Sequence, residues 1–388
     1  AILTKTGNGT LALATANTYS GGTILSGGIL NVNANAALGS GPVTISGAGR
    51  IVLGDGVNVG NAFVADVVSP GVLNGLFMVN DNTNGTVTTI SGPITVNASA
   101  ANGGVFVGPI SSGYLNITGK LTNSFTGEIS SRIGNVRFSG GGDYTVLDIR
   151  EGVVSLGAHN GVSTSASLRM AASGPAIFDL NGFNQELTGL SDGAALSETI
   201  TNSSATASTL TLNLAGGSTF TGTIAGKIAL VQNGFGSLWL LGTNAYTGDT
   251  TVNGGLLQIA EPTLAAASTV RIANGAMLQL DFSTTNKIAG LVLNGVSQPL
   301  GVYNSTTSPA FITGAGSLEV TPAVASYPTN IAVSVSGGNV TISWPASHLG
   351  WILQAQTNSL STGLSDNWVD VPGSASVTQA VIPANPSN

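Results

Sequence analysis

Residues 3–32 read LTKTGNGTLALATANTYSGGTILSGGILNV, and residues 230–259 read LVQNGFGSLWLLGTNAYTGDTTVNGGLLQI. The two segments align at a constant offset of 227 with no gap. Gly7 meets Gly234, Tyr19 meets Tyr246, and Gly27-Gly28 meet Gly254-Gly255. Extended to Leu53 and Leu280, the register holds with about 15 of 51 positions identical. The identities are glycines, alternating leucines and an Asn-x-Tyr-x-Gly turn. A chain that repeats turn and core residues at fixed spacing is built from stacked copies of one structural unit.

The unit reads as strands. Leu11-x-Leu13, Leu30-x-Val32, Val43-x-Ile45 and Ile51-x-Leu53 alternate apolar and polar residues, and Asn-Gly, Gly-Gly and Ser-Gly turns separate them. Corresponding strands recur about every 20 residues, the length of one coil of a β-solenoid. The phrase Gly-apolar-apolar-polar-apolar occurs at Gly28–Val32, Gly152–Leu156 and Gly255–Ile259, with following strands centred on Ile45, Met170 and Ile272. An aromatic turn recurs at Tyr19, Phe125, Phe220 and Tyr246 and is expected to pack under a corner; a sugar-stacking ladder is the alternative. Leu11, Leu13, Leu30, Val32, Ile45, Leu238, Leu240, Leu257, Ile259 and Ile272 are expected to point inward. Residues 1–320 would then form about 16 rungs.

These phrases resemble the autotransporter-associated β-strand repeat of large secreted and surface proteins of Gram-negative bacteria. The likeness is close at 3–32 and 230–259, and looser at 176–193 and 310–320. The resemblance implies a right-handed parallel β-helix outside the cell or on its surface, and it implies no catalytic residue. A self-sufficient autotransporter would end in a membrane β-barrel, for which these residues offer no match.

Composition agrees with that setting. Only 7% of the 388 residues are charged, 42% are hydrophobic and 55 are glycine, yet no apolar run approaches the roughly 18 residues that span a bilayer. The net charge of −7 and ten scattered basic residues argue against nucleic acid or an anionic membrane as partner. Cysteine is absent, which removes thiol catalysis and thiolate metal sites. No signal peptide is visible, so Ala1 reads as a mature or trimmed N-terminus.

The repeat phrases stop near Val320. After a linker at 321–329, residues 330–388 hold three of the four tryptophans, Trp344, Trp351 and Trp368. Five short apolar segments there, at 330–336, 339–345, 351–357, 367–373 and 378–384, read as a small antiparallel sandwich resembling an immunoglobulin- or fibronectin-like module. Such modules usually have about seven strands, so this one reads as incomplete. Ser326 to Asn388 contains no Lys, Arg or Glu, which excludes an internal Lys–Asn isopeptide bond there.

The densest charge cluster is Arg132, Arg137, Asp143, Asp148, Arg150 and Glu151, with His159 nearby. Parallel β-helices can carry polysaccharide lyases and hydrolases on such groups, and Asp148 and Arg150 share strand parity. The same residues also fit ordinary outward positions of a strand–glycine–strand phrase. Neither His159 nor His348 has a second ligand at metal-binding spacing. Asp366 and Asp370 flank Trp368 without the glycine-aspartate pattern of calcium-binding β-rolls. The glycine pairs lack the lysine and strand–helix setting of a phosphate loop. Thr209-x-Thr211 and Thr221-x-Thr223 are too few for a flat ice-binding face. No cofactor is expected.

The expectation is therefore an all-β, non-catalytic, extracellular structural protein that self-associates head-to-tail into a filament or sheath. Leu3 already lies in the first strand phrase with no capping unit before it, so the first rung is expected to offer unpaired backbone and apolar residues. The interface is placed at Leu3, Lys5, Leu11, Leu13, Trp344, Trp351 and Trp368. The alternatives are a polysaccharide-binding or polysaccharide-degrading β-helix passenger, and a monomeric adhesin.

Overall fold

The computed structural model describes residues 1–66, 77–79, 85–97, 105–110, 112–123, 128–170, 174–193, 198–321, 331–356, 363 and 365–383. Phe125 and nearly all of the 321–329 linker lie outside them. The described residues contain strands and two 3-10 turns but no α-helix. Three long parallel faces wind around one apolar core. The longest sheet has fourteen strands, from Thr10–Leu13 to Ile312–Gly314. A second face has nine, spanning residues 58 to 246. The third face is served by two seven-stranded sheets, one over residues 3–143 and one over residues 185–297. This is a parallel β-solenoid.

Among the described residues the long sheet has fourteen strands against the about 16 rungs expected, and coil length is uneven. In-register partners are 18 residues apart at Ser130↔Asp148 but 34 apart at Gln279↔Thr313. Extra residues at a corner cost little, because loop-closure entropy grows only logarithmically with length. The strands stay in register regardless. At about 4.8 Å per rung the long sheet extends roughly 60 Å.

Inside, like stacks on like. Leu11–Leu30–Ile51 and Leu238–Leu257–Leu278–Ile312 form inward columns. Leu30, Val32, Ile45, Leu238, Leu240, Leu257, Ile259 and Ile272 are buried as expected, while Leu11 and Leu13 are half-buried against the same core.

The 227-residue offset holds in three dimensions. Strands 10–13, 23–25, 29–32 and 50–53 reappear as 237–240, 250–252, 256–259 and 277–280. The Tyr19 hydroxyl lies 2.8 Å from Thr23 Oγ1, and Tyr246 repeats the contact to Thr250 at 2.8 Å. The turn asparagines also correspond: Asn17 Nδ2 donates to the Thr15 carbonyl and Asn244 Nδ2 to that of Gly242. Gly28 and Gly255 both sit at positive φ (71° and 65°), and a Cβ on either would strike the carbonyl of Gly9 or Gly236, its counterpart, in the preceding rung. Backbone crowding between coils therefore requires glycine there.

Two phrases sit elsewhere than their wording suggests. Phe220 is buried at the end of strand Gly217–Phe220, in register with Leu240, so it is a core residue of the long sheet and no counterpart of Tyr246. Gly152–Leu156 lies in the nine-stranded face, whereas Ile29–Val32 and Leu256–Ile259 lie in the long sheet. All faces need the same alternation, so the phrase marks a strand without fixing its face.

Two of the three faces end in antiparallel hairpins before the linker, while the long sheet ends on the parallel strand Ile312–Gly314. Leu293 pairs antiparallel with Val296, and Gly301–Asn304 runs antiparallel to Ser317–Val320. On those two faces the hairpins interrupt rung-on-rung stacking within the solenoid itself. Among its described residues the module has five strands where five were expected: Ala332–Ser336, Asn339–Ser343 and Gln379–Pro383 in one antiparallel sheet, Gln354–Ala355 and Val369–Asp370 in a ribbon. It resembles an Ig-like module.

The duplicate supplies its own control for core energetics. Leu240→Ala should lower stability by about 2–5 kcal/mol, as cavity-forming substitutions do. Leu13→Ala, at the same repeat position but half-exposed, should cost clearly less; chemical denaturation of both variants measures the difference.

Burial pushes the Tyr246 phenol up to about 12 from its ordinary 10.0, against a smaller lowering by the Thr250 hydrogen bond. Unfolding frees this phenol to ionise near pH 10. Stability from this group is thus intact below pH 10 and lost as pH rises to 12, at about 1.4 kcal/mol per pH unit. Melting temperature against pH should stay level to about pH 10 and then fall, and less steeply in Tyr246→Phe.

Candidate functional site

The long sheet carries a buried ion cluster on its outward side. In strands Glu128–Ser131 and Val146–Ile149, alternation sends Ile129, Leu147 and Ile149 into the core and Glu128, Ser130 and Asp148 outward. Yet Asp148 is only 1% exposed and Glu128 only 6%. Register explains the gathering, because Ser130, Asp148 and Arg169 are cross-strand neighbours in successive rungs. Arg169 grips Asp148 with two nitrogens: Nε donates to Oδ1 at 3.1 Å and Nη2 lies 3.0 Å from Oδ2. The same Nη2 donates to Glu128 Oε1 at 2.8 Å. Arg150 Nε donates to Asp148 Oδ2 at 2.7 Å, and Arg150 Nη2 lies 3.9 Å from Glu128.

Two carboxylates thus face two guanidinium groups. The Asp148 hydrogen bond, then the charges of Asp148 and Glu128, hold the Arg169 guanidinium above its ordinary pKa, although partial burial works the other way. Each acid is already engaged with arginine.

The cluster differs from the one read along the chain. Of the six charged residues grouped by sequence, only Asp148 and Arg150 meet. Asp143 belongs to another face and pairs with Lys120 at 2.5 Å. Arg137, on the nine-stranded face, lies over the Tyr114 ring at 4.2 Å. His159 accepts from the Asn184 amide through Nδ1 and stands edge-on to Phe183. Glu128 and Arg169, the missing members, are 20 or so residues from Asp148 on either side. One coil length was the available signal. Among the described residues no group of three His, Cys, Asp or Glu side chains is placed to hold a metal ion.

The residues read as an assembly interface fall into two sets. Leu3, Lys5, Leu11 and Leu13 are half-buried in the first rung. The Lys5 amine donates to the carbonyls of Thr6, Gly7 and Gly27 at 2.8, 2.9 and 3.1 Å. Gln232, its counterpart in the second copy, donates to Gly254, the equivalent of Gly27. Lys5 is therefore a turn staple.

Trp344, Trp351 and Trp368 lie in the C-terminal module. Trp344 is half-buried, Trp351 packs against the buried His348 with ring centres 5.2 Å apart, and Trp368 is exposed. Sequence reading missed the module's most open apolar surface. On the edge strand Ala332–Ser336, Val333 and Val335 are 58% and 69% exposed; they share a face with the half-buried Val340, Ile342 and Ile382. Alternation along 330–336 was the signal.

The fold defines a β-solenoid with a small antiparallel module. Two of its segments, residues 3–32 and 230–259, match the passenger-associated transport repeat. No curated protein and no solved structure matches the chain. Among the described residues no helix is long and apolar enough to cross a membrane.

Removing one arginine from the cluster should leave buried carboxylate charge poorly compensated. Arg169→Ala is expected to lose about 3 kcal/mol, while Lys120→Ala, from an exposed pair, should change stability by less than about 1 kcal/mol. Thermal or denaturant melts of both variants check this.

Proposed function

We propose that this chain is an extracellular structural protein of a Gram-negative bacterium, non-catalytic, which self-associates into a filament or sheath. The passenger-associated repeats at residues 3–32 and 230–259 support an exported, surface-linked setting. The paired acids of the ion cluster support a non-catalytic reading, since a general acid or base must be able to exchange its proton with substrate.

The observation that carries self-association is the C-terminal edge strand. Among the described residues Ala332–Ser336 pairs on one side only, and this edge with its exposed Val333 and Val335 suits β-strand addition by a neighbouring copy. The module of one copy against the apolar first rung of the next, around Leu3, Leu11 and Leu13, is a heterologous contact and grows without closing. Low charge density makes such a contact insensitive to salt.

The test is sedimentation and electron microscopy of the intact chain beside Val333→Asp/Val335→Asp. Growing oligomers or filaments are expected from the intact chain, with the variant shifted to monomer at unchanged solenoid melting. A strictly monomeric intact chain at high concentration overturns the filament, and a closed dimer overturns its head-to-tail form. Sugar release from a polysaccharide panel, abolished by Asp148→Asn, would overturn the non-catalytic reading.

A further inference from the structure

The internal duplication separates what the scaffold requires from what a second use of it added. Between the two copies the inward leucines are kept: Leu11 and Leu13 correspond to Leu238 and Leu240. The outward positions of the same strands are not. Ala12, Asn31 and Val52 stack in register in the first copy, and their counterparts Trp239, Gln258 and Gln279 stack in register in the second. Gly54 becomes Asp281. The first copy folds with small residues in this column, so the large and polar ones in the second are not demanded by the fold.

Their arrangement is ordered. Trp239 is 36% exposed although it sits mid-strand. Its six-membered ring leans over Gly217 in the preceding rung, with Cζ3 and Cη2 at 3.4 and 3.6 Å from where a Cβ there would stand. A Cβ at that position would stand in ordinary van der Waals contact with the ring, so the indole lies close along the sheet. In the next two rungs Gln258 and Gln279 both donate through Nε2 to the carboxylate of Asp281, the Gln279 contact being 2.8 Å. One acid thereby fixes two amides. Each amide keeps a second N–H and a carbonyl oxygen for other partners. Thr219 and Thr313 continue the column on either side.

We propose that this column is a binding strip for a neutral polysaccharide running along the solenoid axis. A pyranose ring presents an apolar C–H face, which an exposed indole accepts, and a rim of hydroxyls, which donate to and accept from amides. Rungs about 4.8 Å apart set the amides at regular steps from the indole. The only carboxylate named in the strip is spent on orienting Gln258 and Gln279, which suits an uncharged ligand. A protein contact would surround the indole with apolar groups that exclude water; its neighbours here are Gly217, Thr219 and Gln258. Exposed Phe235 and Leu241 lie beyond the two ends of the strand and mark a second copy of this chain as the competing occupant.

The experiment is native affinity electrophoresis of the full chain through gels holding xyloglucan, glucomannan, hydroxyethylcellulose, dextran or pullulan, with sedimentation run in parallel. Retardation by at least one polymer is expected. The variant Trp239→Ala/Gln258→Asn/Gln279→Val, which restores the residues of the first copy, should bind at least roughly tenfold more weakly at an unchanged melting temperature. Trp239→Phe keeps an aromatic face and should retain part of the retardation, which guards against a folding defect in the triple variant. No retardation by any polymer, or equal retardation of the triple variant, overturns the proposal. So does a triple variant that changes only the sedimentation profile. Val333→Asp/Val335→Asp should leave retardation intact, so this strip and the assembly contact fail separately.

Discussion

Every feature of this molecule depends on the backbone ladder between rungs. A parallel strand satisfies its N–H and C=O groups only through its neighbours, so each coil is defined by the coil before and after it. The ladder is tolerant along the chain and strict across it. Coils of 18 to 34 residues stack equally well, because excess length leaves at the corners. A one-residue slip within a strand would turn the leucine columns outward. Core composition is thus conserved between copies, while loop length and outward residues are free to vary.

That freedom is used differently at different heights. Around residues 128–169 the outward column holds two acids and two arginines, packed closely enough that the acids lose contact with water. Around residues 239–281 it holds an indole and two tethered amides. In the first copy it holds alanine, asparagine and valine. The outward side of one long sheet therefore carries an ion cluster, a polar platform and a plain surface. The spacing of all three is set by the rung, so functional groups gather from residues about one coil apart.

The ends and the module follow another logic. Antiparallel hairpins at residues 292–297 and 301–320 break the parallel ladder from within. Among the described residues the C-terminal module leaves an apolar edge strand paired on one side only, in a segment with no Lys, Arg or Glu. Charge is the usual protection of such an edge. The strand Ala332–Ser336 itself carries no charged residue.

The sequence by itself determined the solenoid, the inward leucines, the five strands of the last module and the equivalence of residues 3–53 with 230–280. Those rest on local periodicity and on glycines that only a crowded corner requires, and both are written in neighbouring residues. Tertiary structure alone decided which face a strand joined. Gly152–Leu156 and Gly255–Ile259 share a phrase but not a sheet, and Phe220 shares a turn motif with Tyr246 but not a position. It also decided which charges meet. Glu128, Asp148 and Arg169 are brought together by coil lengths, while Asp143 and Arg137, far nearer to Asp148 in sequence, are carried to other faces. The physical reason is that alternation tells a side chain in from out, but only the length of the intervening corners says where around the coil, and opposite whom, it will stand.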